Sequence, residues 1–170
     1  MNLTGRGTHR PAAPVKNRKM PKEKMAMSNT WIVVADSYRA RIFTADKPSG
    51  PLTETETLTN PAARQHEGDI DSDRAGHVMS SNTGGHDLSQ KTEAKQEEAI
   101  RFAAEVSKHL ETGRNGKAFD KLYIIAAPAF LGLLRKQISN PLKTLVSDEI
   151  AKDLTTQTPD RIRAQLPEYL

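Results

Sequence analysis

Trp31-Ile32-Val33-Val34-Ala35 is an unbroken apolar run, bounded by Asn29 before it and Asp36-Ser37 after it. Five consecutive apolar residues with β-branched members read as a strand buried on both faces, which belongs in the middle of a sheet. The next residues set the first connection. Arg39, Arg41 and Thr44 are interleaved with Ala40, Ile42 and Phe43, which is a second strand. The short Asp36-Ser37-Tyr38 link makes the two a hairpin. Lys47-Pro48-Ser49-Gly50-Pro51 is a turn. Residues 52–58 alternate Thr with Glu and read as an exposed edge strand.

A second apolar run, Leu122-Tyr123-Ile124-Ile125-Ala126-Ala127, has the same character as the first. The two are expected to lie side by side at the centre, both covered by helices. Between them, residues 59–87 form a long polar stretch without periodicity that contains Gly68, Gly76, Gly84 and Gly85. Stretches of this length inside small domains are usually functional or mobile. A long helix is expected from about Leu88, capped by Asp87 or Ser89, with an apolar stripe of Ala94, Ile100, Ala103, Ala104, Val106 and Leu110. Gly113 and Gly116 flank its expected end. Pro128, Asn140-Pro141 and Thr158-Pro159 each open a shorter helix. Residues 145–154 fit a strand or a helix. The resulting order is a hairpin-led sheet whose later strands arrive through helices. That is an α/β fold with a mixed β-sheet flanked by helices.

Composition limits the function classes. The chain has 170 residues, 36% of them hydrophobic and 5% aromatic, with no cysteine. It holds no run of the roughly 18 apolar residues that a membrane span needs. Nor do its first fifteen residues hold an apolar stretch suited to a signal peptide. A cytoplasmic location is the expectation, without disulfides or thiol chemistry. The net charge of +4 is unevenly divided. Residues 1–27 carry seven basic side chains and one acid, a net of +6, which leaves −2 for the rest. A globally basic nucleic-acid-binding domain is not what this describes. Residues 1–28 are expected to be a basic, disordered tail, since they lack the apolar content to offset their ordering entropy. They read as a basic arm for RNA or anionic lipid, or as an unstructured extension ahead of the true start near Met20, Met25 and Met27. Residues 29–170 are expected to form the α/β domain.

Several segments together resemble the bacterial family of proteins required for attachment to host cells. They are Thr30-Trp31-Ile32-Val33-Val34-Ala35-Asp36 with Ala40-Arg41-Ile42-Phe43, then Asp73-Arg74-Ala75-Gly76, Phe119-Asp120-Lys121-Leu122, the run from Ala127-Pro128 to Leu134-Arg135, and Lys152-Asp153-Leu154-Thr155. The family is in turn distantly similar to the middle domain of archaeal and eukaryotic peptide-chain release factors. That likeness implies an RNase H-like fold and a mobile loop ending ahead of the long helix in a Gly-Gly-Gln tip. Gly84-Gly85-His86 stands at that place here, with His86 where the release factors carry glutamine. The resemblance implies an accessory module binding the ribosome or a tRNA, with only an indirect role in host-cell attachment. Alternatively, it implies a peptidyl-tRNA esterase in which His86 orders a water or acts as base.

Other constellations are weaker. Asp69, Asp71 and Asp73 start like a calcium loop, but Arg74 and Ser80 occupy positions that need Gly and Glu. Asp73-Arg74-Ala75-Gly76 reads instead as a clasp of an ion pair and a turn glycine, a candidate ligand contact beside Gly84 and Gly85. Asp36, Asp120 and Glu149 fall short of a two-metal ligand set. His66, His77 and His86 fit no short metal motif. No metal or other cofactor is expected, and the oligomeric state stays open.

Overall fold

The computed structural model describes residues 29–63 and 84–170, and for residues 84–89 the backbone alone. Five strands form one sheet: β1 (Thr30–Ala35), β2 (Arg39–Ala45), β3 (Thr53–Thr59), β4 (Lys121–Ala126) and β5 (Val146–Ala151). Their spatial order is β3-β2-β1-β4-β5. The pairs β1–β2 and β2–β3 are antiparallel, and β1–β4 and β4–β5 are parallel. The sheet is therefore mixed, and the two continuous apolar runs are adjacent, with Trp31 opposite Leu122 and Ala35 opposite Ala126. β3 is an edge strand whose residues are all exposed except the half-buried Leu58. The undecided segment 145–154 contributes β5, because an open parallel position beside β4 supplies backbone partners that an isolated helix would not need.

The helices are α1 (Gly84–Asn115), α2 (Pro128–Gln137), α3 (Asn140–Lys143) and α4 (Pro159–Arg163). Period-2 alternation along β1 divides the core in two. Val33 and Ala35 face α1 and α2, packing with Phe102, Val106, Leu110, Phe130 and Leu134. Ile32 and Val34 face the other way, packing with Phe43, Tyr123, Ile125, Ile162 and Leu166. The carboxy-terminal segment thus covers one face with only five residues of helix. Arg163 holds that cover in place: Nε donates to the Gly50 carbonyl at 3.0 Å and Nη2 to that of Pro48 at 3.1 Å.

Two expectations for the long helix are corrected. It begins at Gly84 rather than near Leu88, so Gly84-Gly85-His86 is its first turn and not a loop ahead of it. Its buried stripe is Ala99, Phe102, Ala103, Val106, Ser107 and Leu110. Ile100 and Ala104 are exposed, because the sheet meets the helix one position away from the face that composition favoured. Gly113 and Gly116 flank the helix end at Asn115 as expected, Gly113 within the last turn. An added Cβ there would come within 2.7 Å of Trp31 Cη2, so the position needs a small residue for close approach rather than for a turn. Among the described residues, no helix is long and apolar enough to cross a membrane.

Candidate functional site

In open α/β sheets, ligands favour the crevice outside the carboxyl ends of the strands where the connections switch direction. Here that point lies between β1, which turns back into β2, and β4, which leads on to β5. The residue there is Asp36, next after β1 and only 8% exposed. Its Oδ1 accepts from the Tyr38 N–H at 2.7 Å and the Arg39 N–H at 2.8 Å, which shapes the hairpin turn. Its Oδ2 accepts from the Thr155 hydroxyl at 2.6 Å. Thr155 is itself buried, and its N–H donates to Asp153 Oδ1 at 3.1 Å. One carboxylate therefore ties the first hairpin to the segment after β5, 119 positions along the chain. Asn60 closes the turn from the other side: its N–H donates to the Tyr38 carbonyl at 2.7 Å and its Nδ2 to that of Ser37 at 3.0 Å.

A cleft lies on each side of this turn. Toward α1, a pocket of 140 Å³ is lined by Ser37, Tyr38, Ala63, Lys95, Glu98 and Ala99. Toward the carboxy-terminal segment, an open groove of 560 Å³ runs between Arg39, Arg41 and residues 155–159. Arg41 forms part of its wall. Nε and Nη2 bind both oxygens of Glu54, at 3.0 and 2.7 Å. Nη1 donates to the carbonyls of Thr155 and Gln157, at 3.1 and 2.8 Å. The guanidinium also lies 4.9 Å from the centre of the Phe43 ring, a cation–π distance. The Glu54 carboxyl is held below the ordinary carboxylate range, chiefly by its hydrogen bond from Arg41.

The residues singled out from sequence are not gathered here. Asp120 is exposed just before β4, at the opposite end of strands about 20 Å long. Glu149 is bound to Arg135 Nε at 2.6 Å. Asp36, Asp120 and Glu149 therefore do not converge on one metal position. Gly84 and Gly85 stand at the start of α1. The side chain of His86 lies outside the described residues, as do His66, Asp69, Asp71, Asp73, Arg74, Gly76, His77 and Ser80. Arg39, Arg41 and residues 155–158 were missed as a group. The one available signal was an unbroken polar run, Thr155-Thr156-Gln157-Thr158, between a strand and a proline-started helix.

Fold and edge together define a small α/β domain with a mixed five-stranded sheet and polar crevices at the carboxyl ends of its parallel strands. The family described as "Protein required for attachment to host cells" matches residues 31–166, and the chain belongs to it. An uncharacterized protein of Rickettsia prowazekii (strain Madrid E) is 40% identical over 73 residues, 42% of this chain and 49% of that protein. The chain thus matches about half the length of this curated relative. The crystal structure of the archaeal translation termination factor aRF1 superposes with a TM-score of 0.40 and 13% identity, over 82% of this chain and 35% of that one.

Proposed function

We propose that this host-attachment family protein is a release-factor-like accessory module of the cytoplasm. It binds an RNA-containing partner, the ribosome or a tRNA, and affects host-cell attachment only indirectly. The observation that carries this reading is the overhang of α1. The helix has 32 residues, about 48 Å at 1.5 Å per residue, against strands of about 20 Å. Its first buried side chain among those described is Ala99. Between Gln90 and Glu98 only Ala94 and Glu98 are even half-buried. The nine residues 90–98 therefore extend about 13 Å with no buried side chain. A helix that is polar all round is maintained for reach rather than for core. At its start stand Gly84, Gly85 and His86, where the absence of Cβ on two residues permits close backbone contact. The tail adds +6 of charge, which suits a phosphate-rich surface. Asp73, Arg74 and Gly76 belong to the same proposed contact region.

Co-sedimentation with purified ribosomes tests this. The full chain is expected to pellet in a salt-dependent manner, and a chain starting at Ser28 is expected to pellet less. His86→Ala is expected to lose most of the association without a change in melting temperature. A full chain that stays in the supernatant at low salt would refute the reading. Hydrolysis of a peptidyl-tRNA to free peptide and tRNA, abolished in His86→Ala, would instead establish the esterase.

A further inference from the structure

We infer that the groove between Arg39 and residues 155–158 is a binding site for a phosphorylated ligand of about mononucleotide size. It is separate from the start of α1 and does not depend on the reading above. The argument is an inventory of donors and acceptors. The Glu54 carboxylate and the Thr155 and Gln157 carbonyls along the groove are occupied: both Glu54 oxygens by Arg41, one of them also by the Thr57 hydroxyl at 2.7 Å, and the two carbonyls by Arg41 Nη1. The donors are not. Arg39 is half-buried on the groove wall, and among the described residues its guanidinium has no carboxylate or carbonyl partner. The Thr156 hydroxyl is uncommitted. The Thr158 oxygen accepts from the Arg161 N–H at 3.5 Å, which leaves its own proton to donate. The N–H groups of Thr156 and Thr158 likewise donate to no protein acceptor among the described residues.

A half-buried guanidinium without an anion is unfavourable unless a ligand supplies one, since charged groups removed from water need a partner. Free donors, an already occupied carboxylate and one unopposed positive charge match a group that accepts hydrogen bonds and carries negative charge. Phosphate fits best, because arginine meets it with two parallel N–H bonds and hydroxyls fill the remaining oxygens. The volume of 560 Å³ lies within the usual range for small-ligand sites, about 300–1,000 Å³. One wall follows β5 and the groove adjoins Asp36 at the carboxyl end of β1, near where such folds place ligands. Asp36 is the positioning residue: it binds the Arg39 N–H on one wall and the Thr155 hydroxyl on the other.

Titration of the ¹⁵N-labelled full chain with uridine 5′-monophosphate, followed by NMR, is the test. The amides of Thr156, Gln157 and Thr158 and the Arg39 Nε–H are expected to shift in a saturable way. Uridine and sodium acetate at the same concentrations should leave them in place. Arg39→Gln should weaken binding about tenfold, the loss of one charge-assisted contact. Thr156→Val should weaken it less, and Arg161→Gln should bind as the parent does. The inference is overturned if these resonances do not move at nucleotide concentrations on the order of 10 mM, a level that would detect even weak binding. It is equally overturned if acetate reproduces the shifts, or if folded Arg39→Gln and Thr156→Val both bind with unchanged affinity.

Discussion

At the amino-terminal ends of β1 and β4 the sheet is closed by rings, whereas at their carboxyl ends it is closed by hydrogen bonds. Trp31 lies 4.7 Å from Phe119 and 6.0 Å from His109, centroid to centroid, with Gly113 pressed against its six-membered ring. Toward the other end Phe102 and Phe130 pair at 5.7 Å between α1 and α2, but the sheet edge itself is polar. Asp36, Thr155, Asn60 and Arg41 hold it through bonds to backbone groups and to one another. The difference separates two tasks. Ring packing is non-directional, excludes water and leaves nothing to offer a ligand. A hydrogen-bonded edge keeps directional groups near solvent, and some of them, such as Arg39, stay uncommitted. The first end stabilises the fold and the second carries the groove for which ligand binding is proposed.

The sharpest way to break this comparison is at the aromatic end. Trp31→Ala should cost about 3–4 kcal/mol, the usual loss for a large packed aromatic, as read from chemical denaturation. Gly113→Ala should also destabilise, although alanine is the better helix former by roughly 1 kcal/mol, because the added methyl meets Trp31 at 2.7 Å and Phe119 at 3.0 Å. In the Trp31→Ala background the same change should become neutral or stabilising, a coupling that a double-mutant cycle measures. Additive effects would mean that Gly113 does not owe its size to the ring.

At the polar end, Asp36→Ala should cost about 2 kcal/mol, since it strands two N–H groups and leaves the Thr155 hydroxyl only Asp153 as a carboxylate partner, at 2.8 Å. Its nucleotide-induced NMR shifts should also be lost, because the two groove walls are no longer held together. A variant of unchanged stability would show that the turn and the Thr155 segment keep their places without the carboxylate.

The smallest effect is one of pH. Glu54 is lowered by Arg41, and Glu111 by the Ser139 hydroxyl and then Arg114, both from an ordinary value of 4.5. A carboxylate depressed in the folded state stabilises above its unfolded value and loses that contribution as pH falls through the folded one. The melting temperature of the parent should therefore exceed that of Glu54→Gln/Glu111→Gln at pH 7, and the gap should close as the pH falls below the ordinary carboxylate range. A gap that persists in acid would assign these contacts to shape rather than charge. Both groups are partly exposed, so screening keeps the effect modest.

Local pattern was enough to place β1, β2, β4 and the edge strand β3. An apolar run between turn residues has one economical use, and alternation of Thr with Glu has another. Proline similarly marked the starts of α2 and α4, because its missing N–H is harmless only in a first turn. Which helix positions face the sheet was not readable in this way. Ala99 and Ala104 are equally apolar, yet only the first is buried, since docking angle rather than composition selects among small residues. The start of α1 was also misread, because glycines at a helix start look the same as glycines in a loop.

What the sequence determined alone is therefore the set of elements and the division of charge between tail and domain, both properties of neighbouring residues. The tertiary structure decided which residues make a site. Asp36 and Thr155 meet across 119 positions, and Arg41 reaches the carbonyls of residues 155 and 157 over a similar span. Strand order brings these groups together, and no local period encodes strand order. Whether Arg39 or Arg41 stays free for a ligand depends on which of two similar side chains finds Glu54. That choice is made by the register of β2 against β3 and by the bulge between Ile42 and Phe43, through geometry that exists only once the sheet has formed.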